Sequence, residues 1–220
     1  MQPAGIYYIF YTQNGTTMSP KKTITTLIFD LGQVIVSFDH MELCRRASKH
    51  SPHEPEEIFT RMFHSGLMRR FETGCLAPDD FYREACRALD MNLPLEQFKT
   101  IWNTIFTLNT DTAHIIERLQ EFKLLLLSNT NCWHFNYCLE NYPVLKLFDS
   151  LILSYEVGAY KPEKEIFEAA LSSVSARPQE CIFIDDIAHY TEAAQNMGIH
   201  THTFTTAEKL EQFLNDLKIL

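Results

Sequence analysis

The 220-residue chain is 45% hydrophobic and holds 16 phenylalanines, enough apolar material for a packed core, which excludes wholesale disorder. A formal charge of −9 excludes nucleic acid or an anionic membrane surface as the main partner, because both require a basic face. No segment reaches the roughly 18 to 20 apolar residues of a membrane span, and six cysteines without a CxxC pair fit neither a zinc site nor a disulfide framework, so they read as the reduced thiols of a cytoplasmic protein.

Residues 1–22 lack the basic start of a signal peptide and read as a poorly ordered N-terminal extension, with Met18 an alternative start. Thr26-Leu27-Ile28-Phe29 is then a short apolar run that ends in Asp30 and reads as a buried strand. Val34-Ile35-Val36 is strand-like as well. From His40 to Leu108 the pattern is helical with no convincing strand. Stripes such as Phe81/Ala85/Leu89 and Phe98/Ile101/Trp102/Ile105 repeat on one face, and Pro78 before Asp79-Asp80 marks a helix start.

From Thr110 strands and helices alternate. Leu124 to Leu127 reads as a buried strand that delivers Ser128-Asn129, and Leu151 to Ser154 as the next. A helix starts near Glu163, and Cys181 to Ile184 runs into Asp185-Asp186. Gly198 caps the following helix, Thr201 to Phe204 is a last strand, and Thr205-x-x-Glu208 is a capping box for a final helix. Continuous apolar strands between amphipathic helices predict an α/β fold, a three-layer Rossmann-like parallel sheet covered on both faces. The organisation that follows is a core of residues 23–39 and 109–220, with an inserted all-helical cap at 40–108.

In a parallel sheet all carboxyl ends lie on one edge, so Asp30, Ser128-Asn129, Lys161 and Asp185-Asp186 are expected in one crevice. A carboxylate able to act as a nucleophile, a hydroxyl with an amide, a lysine and a carboxylate pair form a kit for phosphoryl transfer. Carboxylates alone would repel a phosphate; a hard divalent cation such as Mg²⁺ resolves the conflict.

The order of these stretches resembles the haloacid dehalogenase superfamily. Phe29-Asp30-Leu31-Gly32, Leu127-Ser128-Asn129, Tyr160-Lys161-Pro162 and Phe183-Ile184-Asp185-Asp186 look like its four motifs, from about Thr23 to the C-terminus. The resemblance implies a Mg²⁺-dependent phosphomonoester hydrolase. Asp30 would be the nucleophile that forms an aspartyl-phosphate and would also bind the metal. Ser128 and Asn129 would bind phosphate, and Lys161 would hold nucleophile and phosphate together. Asp186, with Asp185 beside it and the Gly32 carbonyl, would complete the metal site. Residues 40–108 would be the cap that closes over a small phosphorylated metabolite.

Gly32 departs from the pattern, since most of the family's phosphatases carry an acid/base aspartate there. A glycine resembles the subgroup that includes glucose-1-phosphate phosphatases and the epoxide hydrolase N-terminal domain, whose anomeric or otherwise easy leaving groups need less protonation. In the cap, His64 or Glu72 is a candidate for the missing proton. Tyr190 stands where many relatives place an Asn or Asp. Two rival readings stand beside this one: a metal-free 2-haloacid dehalogenase, which uses the same aspartate nucleophile on carbon, and a non-catalytic homologue that binds phospho-ligands, suggested by Gly32 and Tyr190.

Overall fold

The computed structural model describes residues 24–220; the expected extension at 1–22 and the alternative start at Met18 lie outside them. β1 (Thr26–Phe29) is the middle of a five-stranded sheet, its four side chains wholly buried. After it come β2 (Val36–Ser37) and five helices: α1 (His40–Ser48), α2 (Pro55–Phe63), α3 (Leu67–Glu72), α4 (Pro78–Ala88) and α5 (Leu95–Asn103). β3 (Thr107–Leu108) then pairs antiparallel with β2, so the two strands that lead out to the helices and back form a two-stranded ribbon. The strand-like reading of Val34-Ile35-Val36 catches the first residue of β2, but the helical pattern up to Leu108 hid β3: it has only two residues and its partner lies some seventy residues away, so no local periodicity betrays the pairing.

The chain returns through α6 (Thr110–Glu117), β4 (Lys123–Ser128), α7 (Cys132–Asn141), β5 (Ser150–Leu153), α8 (Ser154–Val157), α9 (Lys164–Val174), β6 (Cys181–Asp185), α10 (Ala188–Asn196), β7 (His200–Thr203) and α11 (Ala207–Asp216). All pairs in the main sheet are parallel, in the order β5-β4-β1-β6-β7. The chain therefore moves outward from β1 in one direction and then in the other. That reversal makes the carboxyl end of β1 the switch point where open α/β sheets bind ligands.

Two apolar clusters cover the two faces of the sheet: Leu27, Phe29, Leu124 and Leu126 point into one, Ile28, Leu125, Leu127 and Phe183 into the other. A third cluster, around Phe71, Phe81, Phe98 and Trp102, belongs to α1–α5. Phe71 and Phe81 stack at 4.1 Å, and Trp133, the second residue of α7, sets its ring edge against Phe71, Phe81 and Phe98. The helical cap thus has its own core, into which α7 inserts one indole.

One expected end moves by a residue. The final helix is capped by Thr206, which accepts from Lys209 N–H at 3.3 Å, in place of Thr205. Asn131 caps α7 by accepting from His134 N–H at 3.0 Å. Ser128 and Asn129, upstream of that cap, are left to the sheet edge.

Candidate active site

Three of the four candidate stretches stand where a strand stops. Asp30 follows β1 and still donates its N–H to Ile184 O of β6 at 2.9 Å. Ser128 ends β4 and Asp185 ends β6. Lys161 lies in the loop between α8 and α9, joined to Pro162 by a cis peptide bond.

Lys161 is the hub. Its Nζ lies 2.8 Å from Asp30 Oδ1 and 2.6 Å from Asp185 Oδ2, and donates to Leu127 O at 3.1 Å. The rings of Phe183 and Tyr190 flank the ammonium, their centroids 5.5 and 5.4 Å away. The group is 1% exposed, so this charge is stabilised almost wholly by protein partners. Two carboxylates hold the Lys161 ammonium above its usual range against the desolvation that opposes it. Tyr190, which stands where many relatives place an Asn or Asp, sets its ring as a wall against Lys161.

Asn129 holds the loop that carries this lysine. Its Oδ1 accepts from Lys161 N–H at 2.7 Å, and its Nδ2 donates to Lys161 O at 3.0 Å. The side chain is thus a reciprocal clamp on the Lys161 backbone, a role the phosphate-binding expectation for Asn129 did not include.

Asp30, Asp185 and Asp186 each bring a carboxylate oxygen within 4.8 Å of the others. Fully ionised, three carboxylates and one ammonium would carry two net negative charges in one small volume. Burial pushes the Asp30 carboxyl up to about 7; the Asp185 charge adds to the rise, and Lys161 opposes it. Burial and then Asp185 raise Asp186 too. An all-oxygen donor set with an excess of two negative charges fits a hard divalent cation. The pair is unequal, however. Asp185 is fully buried with both oxygens engaged, Oδ2 by Lys161 and Oδ1 by the Ile187 N–H at 2.8 Å. Asp186 faces the cavity.

That cavity measures about 340 Å³ and joins sheet edge to cap. Asp30, Ser128, Asn129, Lys161 and Asp186 line its floor; Phe38, His40, Phe63, Arg69 and Glu72 line it from the β2 and cap side. Burial holds His40 and His134 below the usual imidazole range, His134 at about 3, so both walls are neutral.

A family model described as haloacid dehalogenase-like hydrolase matches residues 47–204. The chain belongs to the haloacid dehalogenase-like hydrolases. Among relatives of this hydrolase is a D-ribitol-5-phosphate phosphatase of Bacteroides thetaiotaomicron, 26% identical over 81% of this chain and 90% of that one. Another is a sesquiterpene phosphatase of Aspergillus oryzae, 26% identical over 87% of this chain and 97% of that one. A HAD family enzyme of B. thetaiotaomicron, crystallised with magnesium and inorganic phosphate, superposes with a TM-score of 0.76 at 28% identity, over 83% of this chain and 95% of that one. The L-2-haloacid dehalogenase of Xanthobacter autotrophicus shares the fold at 19% identity, with a TM-score of 0.58 over 81% of this chain and 76% of that one.

The hydrolase's two cap candidates part company. His64 is exposed at the end of α2, whereas Glu72 lines the cavity. Beside Asp30, a Cβ built on Gly32 would lie 2.9 Å from Phe38 Cε1. The aromatic ring occupies the space where the side chain of an acid would begin. Phe38, Arg69 and Tyr160 were not foreseen as lining residues, although each lies within a few positions of a motif or segment that the sequence had marked. Among the described residues, no helix is long and apolar enough to cross a membrane.

Proposed function

We propose that this hydrolase is a Mg²⁺-dependent phosphomonoesterase that works through an aspartyl-phosphate on Asp30. The observation that carries the reading is the buried Lys161 ammonium held between Asp30 and Asp185 at the floor of a cavity that also exposes Ser128 and Asp186. An Asp30 oxygen attacks phosphorus in line with the leaving oxygen, and water later cleaves the acyl phosphate; two easier steps replace one hard one. Lys161 neutralises charge on nucleophile and phosphate together, while the Ser128 hydroxyl and the Asn129 N–H hydrogen-bond the phosphate oxygens. Asp30, Asp186 and the Gly32 carbonyl would hold Mg²⁺, with Asp185 supporting from behind through Lys161. When bound, the cation supplies charge neutralisation that lets a dianion approach carboxylates.

The substrate is a small phosphorylated metabolite. A sugar phosphate such as glucose 1-phosphate is the first candidate; Gly32 and the name of the ribitol-5-phosphate phosphatase support it. Six free thiols support a cytoplasmic setting. Turnover of a panel containing glucose 1-phosphate, a polyol 5-phosphate and an isoprenoid phosphate is expected with Mg²⁺ and lost in Asp30→Asn. Failure of the wild type on the whole panel would support the non-catalytic reading instead. The dehalogenase reading is disfavoured by the Asp30/Asp185/Asp186 cluster, which makes sense mainly around a cation; chloride release from a 2-chloro acid in the presence of chelator would revive it.

A further inference from the structure

We propose that Glu72 is the general acid and base of the reaction, supplying from the cap the proton transfer that Gly32 cannot. The inference rests on the phosphatase reading above. Gly32 has no side chain, and Phe38 blocks the place where one would begin. Glu72 opens onto the same cavity as Asp30, Ser128 and Lys161.

Its position is fastened to the phosphate end of the site. The Ser154 hydroxyl donates to Glu72 O at 2.5 Å and accepts from Thr130 N–H at 2.9 Å, so two hydrogen bonds through one atom link Glu72 to a residue two places beyond Ser128. Gly74 continues the same contact: with a φ of +71°, it comes so close to α8 that a Cβ there would lie 2.2 Å from Tyr155 O. Arg69, one turn earlier on α3, pairs with Glu163 and sits 5.2 Å over the Tyr160 ring. The cap is thus tied to the sheet edge at the point where Glu72 enters the cavity.

Burial pushes the Glu72 carboxyl up to about 7, with the Tyr160 hydroxyl opposing the rise, so its proton is still available near neutral pH. The groups facing it are Tyr160, Arg69 in its pair with Glu163, and, across the cavity, Asp30, Lys161 and Asp186. His40 and His134 share the lining but are held neutral by burial.

In the first step an Asp30 oxygen bonds to phosphorus while the bond to the leaving oxygen breaks. The Glu72 proton passes to that oxygen, so an alcohol departs and Glu72 is left as a carboxylate. Water then takes the alcohol's place and gives a proton to Glu72 as its oxygen bonds to phosphorus. The Asp30–phosphorus bond breaks, and both carboxyl groups return to their starting forms. No redox partner is needed.

The test compares leaving groups. With Mg²⁺ present, Glu72→Gln is expected to lower kcat/KM for an alkyl phosphate by about 10²-fold or more, the typical worth of acid catalysis. For p-nitrophenyl phosphate, whose phenolate leaves without a proton, the loss should be at least tenfold smaller. Equal losses on the two esters, as a purely structural role would produce, overturn the assignment, and so does no loss on either. Should the variant fail to fold, the wild type decides: its alkyl-to-aryl ratio must fall as pH rises through about 7, and a flat ratio overturns the assignment. A wild type that turns over neither ester overturns the phosphatase reading and takes Glu72 with it; turnover with an unchanged ratio overturns Glu72 alone.

Discussion

The ring of Phe38 and the missing side chain of Gly32 share one space: a Cβ on Gly32 would meet Phe38 Cε1 at 2.9 Å. The neighbour is the edge of a half-buried ring, so it can give way only by moving its own contacts with His40 and Phe106. Gly32→Ala is expected to cost about 1–3 kcal/mol by overpacking, measured by chemical denaturation. Phe38→Ala should relieve most of that cost in a double-mutant cycle. An acid at this position should therefore raise turnover only in the Gly32→Asp/Phe38→Ala pair. An increase in Gly32→Asp alone would show that the ring is no obstacle.

Lys161 is worth more to the fold than its catalytic part requires. Replacing it with Met leaves Asp30 and Asp185 facing each other without their cation, in a site where neither can reach bulk water freely. Removing one partner of a buried ion pair typically costs about 3–5 kcal/mol. Lys161→Met is expected to lose that stability in Mg²⁺-free buffer, together with nearly all phosphatase activity. Asp30→Asn, which removes one of the competing negative charges, should lose the activity without a comparable loss of stability. A Lys161→Met protein as stable as the wild type would contradict the hub role.

The sequence reveals the convergence of Asp30, Ser128 and Asp186 because each sits at a strand end, and a parallel sheet puts all such ends on one edge; Lys161 joins them from the loop beyond α8, which follows β5 directly. The rhythm of apolar runs was sufficient for that. Contacts that depend on side-chain direction across the cavity were not legible. The clamp of Asn129 on Lys161, the Tyr190 wall, the Phe38 ring over Gly32 and the Ser154 link to Glu72 all join residues far apart in the chain or turned by an irregular loop. The β3 strand and its pairing with β2 escaped for a related reason: a two-residue strand carries no periodicity. Alternation along a strand separates Asp185 from Asp186 already in the sequence, but which of them is buried against Lys161 and which faces the cavity needed coordinates.

Metal dependence should distinguish these two aspartates. Chelation is expected to abolish turnover, and excess Mg²⁺ to restore it. Asp186→Asn, which alters a carboxylate facing the cavity, should raise the Mg²⁺ concentration needed for half-maximal rate. Asp185→Asn acts through Lys161 and should cost about 10–100-fold in activity or metal affinity, the usual price of losing a supporting partner. Titration of activity with Mg²⁺ reads both; identical Mg²⁺ requirements in wild type and Asp186→Asn would remove that residue from the metal site.

The Glu72 carboxyl also predicts a pH-dependent stability. Its folded value of about 7 lies above the 4.5 of an ordinary glutamate, so between these values the folded state binds more protons than the unfolded state. The resulting stabilisation is fully present below about 4.5 and is lost as pH rises through about 7. Asp30 contributes in the same sense without metal, so a wild-type curve alone would mix the two. The difference between wild type and Glu72→Gln isolates the glutamate. It is expected to shift against the wild type by on the order of 2 kcal/mol between pH 5 and pH 8. Denaturation curves at the two pH values in Mg²⁺-free buffer measure it, and a constant difference would mean that Glu72 titrates like a surface carboxylate.

The clamp on the Lys161 backbone yields a prediction that separates positioning from charge. Asn129 both accepts from Lys161 N–H and donates to Lys161 O. Asn129→Ala leaves both backbone groups to find other partners, and an unsatisfied buried polar group costs about 1–3 kcal/mol. Asn129→Asp keeps the acceptor but replaces the donor with a second acceptor facing Lys161 O, and it adds a charge to a floor already rich in carboxylates. Both variants retain the Lys161 ammonium, so a loss of kcat in Asn129→Ala, which adds no charge, reports its placement. Ala should lower kcat substantially, and Asp should lower it at least as much while also weakening phosphate binding, measured as inhibition by inorganic phosphate. If Asp matched wild type, the bond to Lys161 O would have no part in holding the lysine over Asp30.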